Sequence, residues 1–147
     1  MNIAPATPTE LEDVASLLAG QFAEHAIVLD EATFRGAIRG ALEEPGRGTF
    51  LLARGPEERA IGLAYLTYTW TLEHGGRSAW LEELYVVPEE RARGYGAELL
   101  AAAMAHAKAQ ACRAIDLEVE AEHARAANLY QRAGFRPHRR ARWYVKL

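Results

Sequence analysis

Apolar residues in the first third of the chain are spaced as in two amphipathic helices. The first helix should start at Thr7–Glu10, a capping box with Pro in the first helical position. Apolar residues then follow at three- and four-residue intervals: Leu11, Val14, Leu17, Leu18 and Phe22. The same periodicity predicts a second helix from Asp30 to about Glu44, which Pro45-Gly46 would end.

The middle of the chain changes to the pattern of β-strands. Strands are predicted for Thr49–Arg54, Arg59–Thr71 and Ser78–Val87, and the second of these is rich in aromatic and β-branched residues. Turn residues separate them, with Gly and Pro in the first connection and two Gly in the second. Because these connections are too short for crossovers, the three strands should form an antiparallel meander.

The last third of the chain mixes both patterns. Helices are predicted for Ala97–Ala111 and Ala124–Ala133, and Gly134 would close the second one. Further strands are predicted for Met1–Pro5, Ala114–Val119 and Arg139–Leu147. A strand, loop, helix and strand in succession imply at least one parallel pair. The predicted fold class is therefore mixed α/β (α+β), in one domain spanning residues 1–147.

Charge is unevenly distributed along the 147 residues. The formal net charge is only −3, yet all 20 acidic residues lie in residues 1–124, and seven of the 17 basic residues lie in residues 125–147. No apolar run reaches the length of a membrane span, and no basic region followed by an apolar stretch opens the chain. The single cysteine excludes an internal disulfide framework, so we expect a cytoplasmic protein without a membrane partner.

The segment from Leu84 to Leu100 contains a candidate site for an anionic ligand. A predicted strand leads into a loop that contains Arg91, Arg93, Gly94 and Gly96, and a helix follows. Glycine lets backbone N–H groups approach a ligand closely, and a helix N-terminus attracts phosphate. The two arginines add charge and forked donors. The spacing matches neither the P-loop of ATP and GTP binders nor the dinucleotide fingerprint.

Two motifs resemble those of the GNAT superfamily of N-acetyltransferases. The first is Val-x-Pro-x-x-Arg-x-x-Gly-x-Gly, which spans Val86–Gly96. The second resembles the family's Ala-x-x-Leu-Tyr helix ending in Gly-Phe, and it spans Ala126–Phe135. The resemblance implies a central mixed sheet of six to seven strands flanked by about four helices.

The resemblance also implies acetyl-CoA as the co-substrate. Backbone groups of the third meander strand would bind the pantetheine and polarise the thioester, and backbone groups of the loop would hold the pyrophosphate. These cofactor-binding positions are Leu84, Tyr85, Val86, Arg91, Ala92, Arg93, Gly94, Tyr95, Gly96 and Ala97. His123 joins them, because it stands where the family often has an asparagine that helps to hold the pantetheine or the helix start.

Catalytic roles follow from the same resemblance. Tyr130 matches a family tyrosine that lies near the thiol and acts as general acid. Glu82 is expected to bind the substrate and to act as base or orient the deprotonating water, by likeness to a strand of diamine and polyamine acetyltransferases, and Glu83 is the second candidate. Adjacent strand residues point to opposite faces unless a bulge intervenes. Glu24 falls near another substrate-binding acid of that subgroup, although an exposed helix position would explain it as well.

The expected acceptor is a small cationic amine such as a polyamine, a diamine or a basic amino acid. A protein N-terminus or lysine is the alternative acceptor, and a module that binds nucleic acid through the basic tail is the alternative class. We expect no nucleic-acid partner, because the tail contains the last predicted strand. The five histidines lack metal-binding spacing, so no metal is expected either. Homodimers are frequent in the family, which makes a dimer the assembly to test.

Overall fold

One mixed sheet organises the chain. In the computed structural model, which describes residues 1–120 and 123–147, the strands stand side by side in chain order. They are β1 (Asn2–Pro5), β2 (Gly48–Arg54), β3 (Ala60–Thr71), β4 (Gly76–Val86) and β5 (Ile115–Leu117). Strands β1 to β4 pair antiparallel, and β4 pairs with β5 in parallel. The predicted meander and parallel pair are confirmed.

Helices cover both faces of this sheet. They are α1 (Leu11–Glu24), α2 (Glu31–Glu43), α3 (Tyr95–Ala109) and α4 (Ala124–Arg132). The predicted capping box is present, because the Glu10 Oε2 accepts a hydrogen bond from the Thr7 amide at 2.8 Å, although it opens a 3₁₀ turn that leads into α1. The mixed class and the number of helices expected are confirmed. Nowhere in residues 1–120 or 123–147 is there a helix with the length and apolar content needed to cross a bilayer.

The sheet separates two hydrophobic cores. On one face, α1 and α2 pack against residues of β2, β3 and β4, among which Leu63 is fully buried. On the other face, α3 packs against the same strands through Leu99 and Leu100, and residues of α4 lie at the edge of this second core. Both faces of the central strands are therefore buried, and this burial specifies the register of the strands around the candidate site.

The predicted last strand, Arg139–Leu147, is wrong. This segment has no strand structure, and the described chain has a five-stranded sheet instead of six to seven strands. Side chains hold the segment instead, since Arg142 pairs with Glu118 at 3.1 Å and lies over the ring of Trp80. Apolar side chains of the tail point into solvent, Trp143 being 90% exposed. Alternation in the sequence indicated an extended segment, but an extended segment forms a strand only when its backbone finds a partner.

A β-bulge at Glu82 changes the phase of β4. Tyr65 of β3 pairs with Glu83, but its neighbour Leu66 pairs with Leu81, so Glu82 is the extra residue. Before the bulge, Leu81 belongs to the core on the α3 face, whereas after it the residues on that face are Leu84 and Val86. Tyr85 belongs to the core on the α1 face. The bulge thus turns Glu83 toward α1, where an unbroken strand would have turned Glu82.

Candidate functional site

Strands β4 and β5 separate near the middle of β4. Their paired residues run only from Ala79 with Ile115 to Leu81 with Leu117, where β5 ends. Strand β4 continues to Val86 and pairs with β3 along one side. Among residues 1–120 and 123–147, no strand lies on the other side of residues 83–86, which leaves a gap between β4 and β5. This stretch includes the expected cofactor positions Leu84, Tyr85 and Val86.

The loop after β4 presents the N-terminus of α3. Ala92 and Gly94 both have left-handed backbone, with φ of 65° and 88°, and Gly94 is the N-cap of the helix. The Ala97 amide donates a hydrogen bond to the Gly94 carbonyl at 2.9 Å. The amides of Tyr95 and Gly96, in contrast, have no backbone acceptor in the described part of the chain. Such amides are free donors at the positive end of the helix dipole.

Both loop glycines leave room where a side chain would otherwise project. A Cβ built on Gly94 would meet nothing within 4 Å, and one on Gly96 would only touch the Leu129 side chain at 3.9 Å. The protein's own packing therefore does not require glycine at position 96. A ligand that approaches the backbone closely would require it.

Arg91 joins the loop to the end of α1. Its Nε donates to the Val86 carbonyl at 2.8 Å, and its Nη2 donates to both carboxylate oxygens of Glu24 at 2.7 and 2.9 Å. The Tyr85 hydroxyl donates to Glu24 at 3.1 Å. These hydrogen bonds, with Arg91 first, lower the pKa of Glu24. Glu24, expected to meet the acceptor, is thus engaged by two of the expected cofactor-binding residues.

Arg93, the second loop arginine, pairs with Glu90 at 3.1 Å. Glu90 is 9% exposed and is also 3.1 Å from Arg59, so it has two cationic neighbours. The Arg93 side chain is itself 60% exposed. It therefore supplies positive charge near the start of α3 without being committed to the core.

Glu83 is the most perturbed acid of the candidate site. Its pKa is raised to about 7, first because the carboxyl is largely withdrawn from water, and to a smaller extent because Glu82 is negative. Gln21 of α1 donates from Nε2 to the Glu83 carboxylate at 2.7 Å, which opposes this rise. A carboxyl with a pKa near neutrality can take and release protons under physiological conditions.

Glu82, the first choice from sequence, lies in a different environment. Its side chain is exposed at the bulge and accepts a hydrogen bond from the Thr67 hydroxyl at 3.1 Å. It contributes negative charge beside Glu83, which is how the two acids interact. The bulge therefore separates the two adjacent carboxylates into one solvated and one largely buried group.

Tyr130, in α4, packs against the core on the opposite face of the sheet from α1. Its ring meets Phe135 edge-on, with centroids 5.8 Å apart, and it packs at the margin of the α3 core. Burial raises the pKa of Tyr130, and the charge of Glu83 raises it further. Burial therefore keeps the phenol protonated at neutral pH, and its pKa responds to the charge of Glu83.

Gln21 is a site residue that the sequence reasoning missed. It stands four positions after Leu17 and three after Leu18, so it falls on the apolar side of α1. A polar residue in an apolar stripe was the available signal. Its Oε1 atom is buried and has no hydrogen-bond partner in residues 1–120 and 123–147. Gln21 is therefore held at the gap by Glu83 on one side only.

His123 is the N-cap residue of α4, as the motif position suggested. Its ring contacts that of His25, the C-cap residue of α1, at 5.4 Å between centroids in an edge-on arrangement. Its Nδ1 is 3.6 Å from a carboxylate oxygen of Glu120. The expected cofactor-binding histidine thus stands in a polar cluster that links α1 to α4.

A cleft of about 410 Å³ lies elsewhere beside α1, lined by Leu17, Gly20, Tyr85 and neighbouring residues. It contains neither Glu83 nor Tyr130. Its cationic residue Arg54 is already paired, at 2.6 Å from Glu10 and 2.7 Å from Asp13. The chemistry described above therefore lies at the gap between β4 and β5 and not in this cleft.

Known proteins share both the sequence pattern and the fold. Residues 11–135 match the model of the Acetyltransferase (GNAT) family. The mycothiol acetyltransferase of Clavibacter michiganensis subsp. michiganensis (strain NCPPB 382) is 34% identical over 135 residues, which are 88% of this chain and 40% of that protein. The chain therefore spans less than half the length of this relative.

Two solved structures illustrate the likeness of the fold. An integron cassette protein from the mobile metagenome of Cole Harbour Salt Marsh has a TM-score of 0.86 and 24% identity, over 99% of this chain and 90% of that chain. An aminoglycoside N-acetyltransferase in complex with CoA has a TM-score of 0.77 and 22% identity, over 99% of both chains. At these identities the likeness is one of fold.

Proposed function

The chain belongs to the Acetyltransferase (GNAT) family, and we propose on that basis that it transfers the acetyl group of acetyl-CoA to the primary amine of a small cationic acceptor. The observation that carries the proposal is a largely buried Glu83, whose pKa is raised to about 7, beside the point where β4 and β5 separate, together with a buried Tyr130 whose pKa the charge of Glu83 raises further. A base and an acid held at one place are what an acyl transfer to an amine requires.

The residues around the gap fit an acetyl-CoA molecule. Acetyl-CoA would supply the activated acetyl group as a thioester. The α3 N-terminus offers the amides of Tyr95 and Gly96 to a pyrophosphate, and Arg93 adds positive charge. The unpaired side of β4 offers backbone groups of residues 84–86 to the pantetheine. Open space at Gly94 and Gly96 supports this assignment, because the fold itself does not fill it.

Glu83 is proposed as the general base. A primary amine has a pKa of about 10 and must lose its proton before it can attack a thioester carbonyl. Glu83 can accept that proton, directly or through one water, because its own pKa of about 7 leaves a substantial ionised fraction at neutral pH. This proposal reverses the order expected from sequence, in which Glu82 came first.

Tyr130 is proposed as the general acid. The departing thiolate has a conjugate acid of pKa about 8.5, and a phenol can donate a proton to it. Burial and the charge of Glu83 keep the Tyr130 hydroxyl protonated until that step. The ammonium gives one proton to Glu83 before attack, and the nitrogen loses a second one as the amide forms. The thiolate takes one proton from Tyr130, which is reprotonated from solvent, so each turnover releases one net proton to solvent.

Negative charge beside the gap is the reason for proposing a cationic acceptor. Glu82 is exposed beside Glu83, and together they supply up to two negative charges at the α1 side of the gap. A second positive group on a diamine, polyamine or basic amino acid would be attracted to Glu82 while its amine meets Glu83. The similarity to a mycothiol acetyltransferase, an enzyme named for a small molecule, supports a small acceptor.

A thiol-release assay tests this function. The purified chain is mixed with acetyl-CoA and with a panel of polyamines, amino acids, aminoglycosides and peptides, and free CoA is measured. We expect release with small cationic amines and little with peptides. Release with peptides alone would replace the small acceptor by a protein. Absence of any release, together with no thermal shift on adding acetyl-CoA, would overturn the proposal.

Gly96→Ala should separate cofactor binding from folding. The added Cβ meets only ordinary contact with Leu129, and alanine favours helix, so the free energy of unfolding should stay equal or rise by about 0.5–1 kcal/mol. The methyl group would nevertheless stand where the pyrophosphate approaches. We expect roughly tenfold weaker acetyl-CoA binding by calorimetry, which corresponds to about 1.4 kcal/mol. Unchanged affinity would argue against this loop as the pyrophosphate site.

Gln21→Leu should move the pH dependence of the reaction. The Gln21 amide stabilises the ionised form of Glu83, so its loss raises the pKa of that carboxyl above about 7. Because the ionised form is the active one, the rise of kcat/KM with pH should move upward by about one pH unit. Ser16→Ala, on an exposed position of the same helix, is the control. An unmoved profile would remove Gln21 from the site.

A further inference from the structure

Three side chains that can ligate a metal converge where the end of α1 approaches the start of α4. They are His25 at the end of α1, Glu120 after β5, and His123 at the start of α4. One ligand atom from each lies within 4.8 Å of the others. The two imidazoles come from segments far apart in the chain, so no spacing in the sequence could have revealed the cluster.

The ligand set has the chemistry of a transition-metal site. Two imidazole nitrogens and one carboxylate oxygen form a ligand combination that binds Zn²⁺ and related divalent ions, whereas Mg²⁺ and Ca²⁺ prefer sites built of oxygen alone. Tetrahedral Zn²⁺ at about 2.0–2.1 Å from its ligands needs them about 3.4 Å apart. All three side chains are exposed, so small rotations can bring them from their present separations to that distance.

We propose that His25, Glu120 and His123 bind one Zn²⁺ ion, which fastens the end of α1 to the start of α4. The fourth coordination position faces away from the three ligands and is left to water or to another small donor. The ion would act next to the gap, because α1 carries Gln21 and α4 carries Tyr130. The sequence predicts no metal site, so this proposal assigns the chain a binding site for a divalent transition metal that the histidine spacing does not indicate.

Metal binding can be measured without any reaction. The chain, prepared without a polyhistidine tag and stripped with a chelator, is titrated with Zn²⁺ in a calorimeter and with Co²⁺ under visible absorption. We expect one ion per chain, and absorption bands of tetrahedral Co²⁺ that excess Zn²⁺ removes. His25→Ala and His123→Ala should each bind at least roughly tenfold more weakly. Glu120→Gln should also weaken binding, because the carboxylate is lost.

His138→Ala is the matched control, since it removes an exposed histidine that lies outside the cluster. It should leave affinity and stoichiometry unchanged. Equal binding by all four variants, or binding without defined stoichiometry, would overturn the proposed site. Circular dichroism of each metal-free variant confirms that its fold is retained. None of these readouts depends on acetyl transfer, so the metal site and the proposed function can fail separately.

Discussion

Glu83→Gln is expected to lower kcat by roughly 10²–10³-fold, which lies within the roughly 10²–10⁴-fold that a general base contributes. The amide keeps the size of the side chain and can still bond to Gln21, but it cannot accept the proton of the acceptor amine. The dependence of kcat/KM on a group of pKa about 7 should vanish in the same variant. Steady-state rates between pH 5.5 and about 9.5 measure both effects, because this window brackets that pKa.

Glu82→Gln is the matched control for this variant. The two residues are adjacent and chemically alike, but Glu82 is exposed and Glu83 is not. We expect Glu82→Gln to raise KM for a cationic acceptor by a few fold through the loss of one charge, with kcat nearly unchanged. The reverse outcome, a large fall in kcat for Glu82→Gln alone, would restore Glu82 as the base and contradict the role proposed for Glu83.

Tyr130→Phe is expected to reduce kcat by roughly 10–10²-fold, because the leaving thiolate loses its proton donor. The substitution keeps the aromatic ring and its edge-on contact with Phe135, so the fold should be retained. An acyl donor whose thiol is more acidic than that of CoA releases its thiolate with less need for a proton donor. We therefore expect the variant to recover much of its rate with such a donor, measured against acetyl-CoA at saturating acceptor.

Tyr144→Phe is the control for this second prediction, since it removes a hydroxyl from the exposed tail, where the side chain is 87% exposed. It should leave kcat unchanged with both thioesters. A Tyr130→Phe variant with the kcat of the unaltered chain would show that the phenol is not the acid. Equal losses with both thioesters would instead indicate a role in positioning, because the leaving group would then not matter.

Patterns within single segments of the sequence predict most of the fold and the candidate anion-binding loop between β4 and α3. The helices and the meander follow from periodicity, and the spacing of Arg91, Gly94 and Gly96 predicts an anion site in the loop that precedes α3. These features depend on residues close together in the chain. The tail differs, because a strand at Arg139–Leu147 would have needed a partner backbone that the pattern itself cannot supply.

The finer arrangement of the site depends on tertiary contacts. Which of Glu82 and Glu83 faces α1 is decided by a single extra residue in the ladder between β3 and β4. The pKa of Glu83 then depends on burial beneath α1 and on Gln21, which lies 62 residues earlier. The approach of His25 to His123 likewise joins distant segments. No pattern within one segment encodes such meetings, although a polar residue in an apolar stripe hints at one.

The bulge at Glu82 also bears on how relatives should be compared. When relatives are aligned by residue identity alone, an acidic pair at this place can shift by one residue with almost no loss of score, and the carboxylate proposed as base is then matched to the wrong residue. What should be compared is which face of the sheet each residue after the bulge points to. Leu84 and Val86 pack on the α3 side and Tyr85 on the α1 side, so these residues show the orientation. Counting backward from those apolar positions, rather than forward from the acids, assigns Glu83 and its equivalents to the same face.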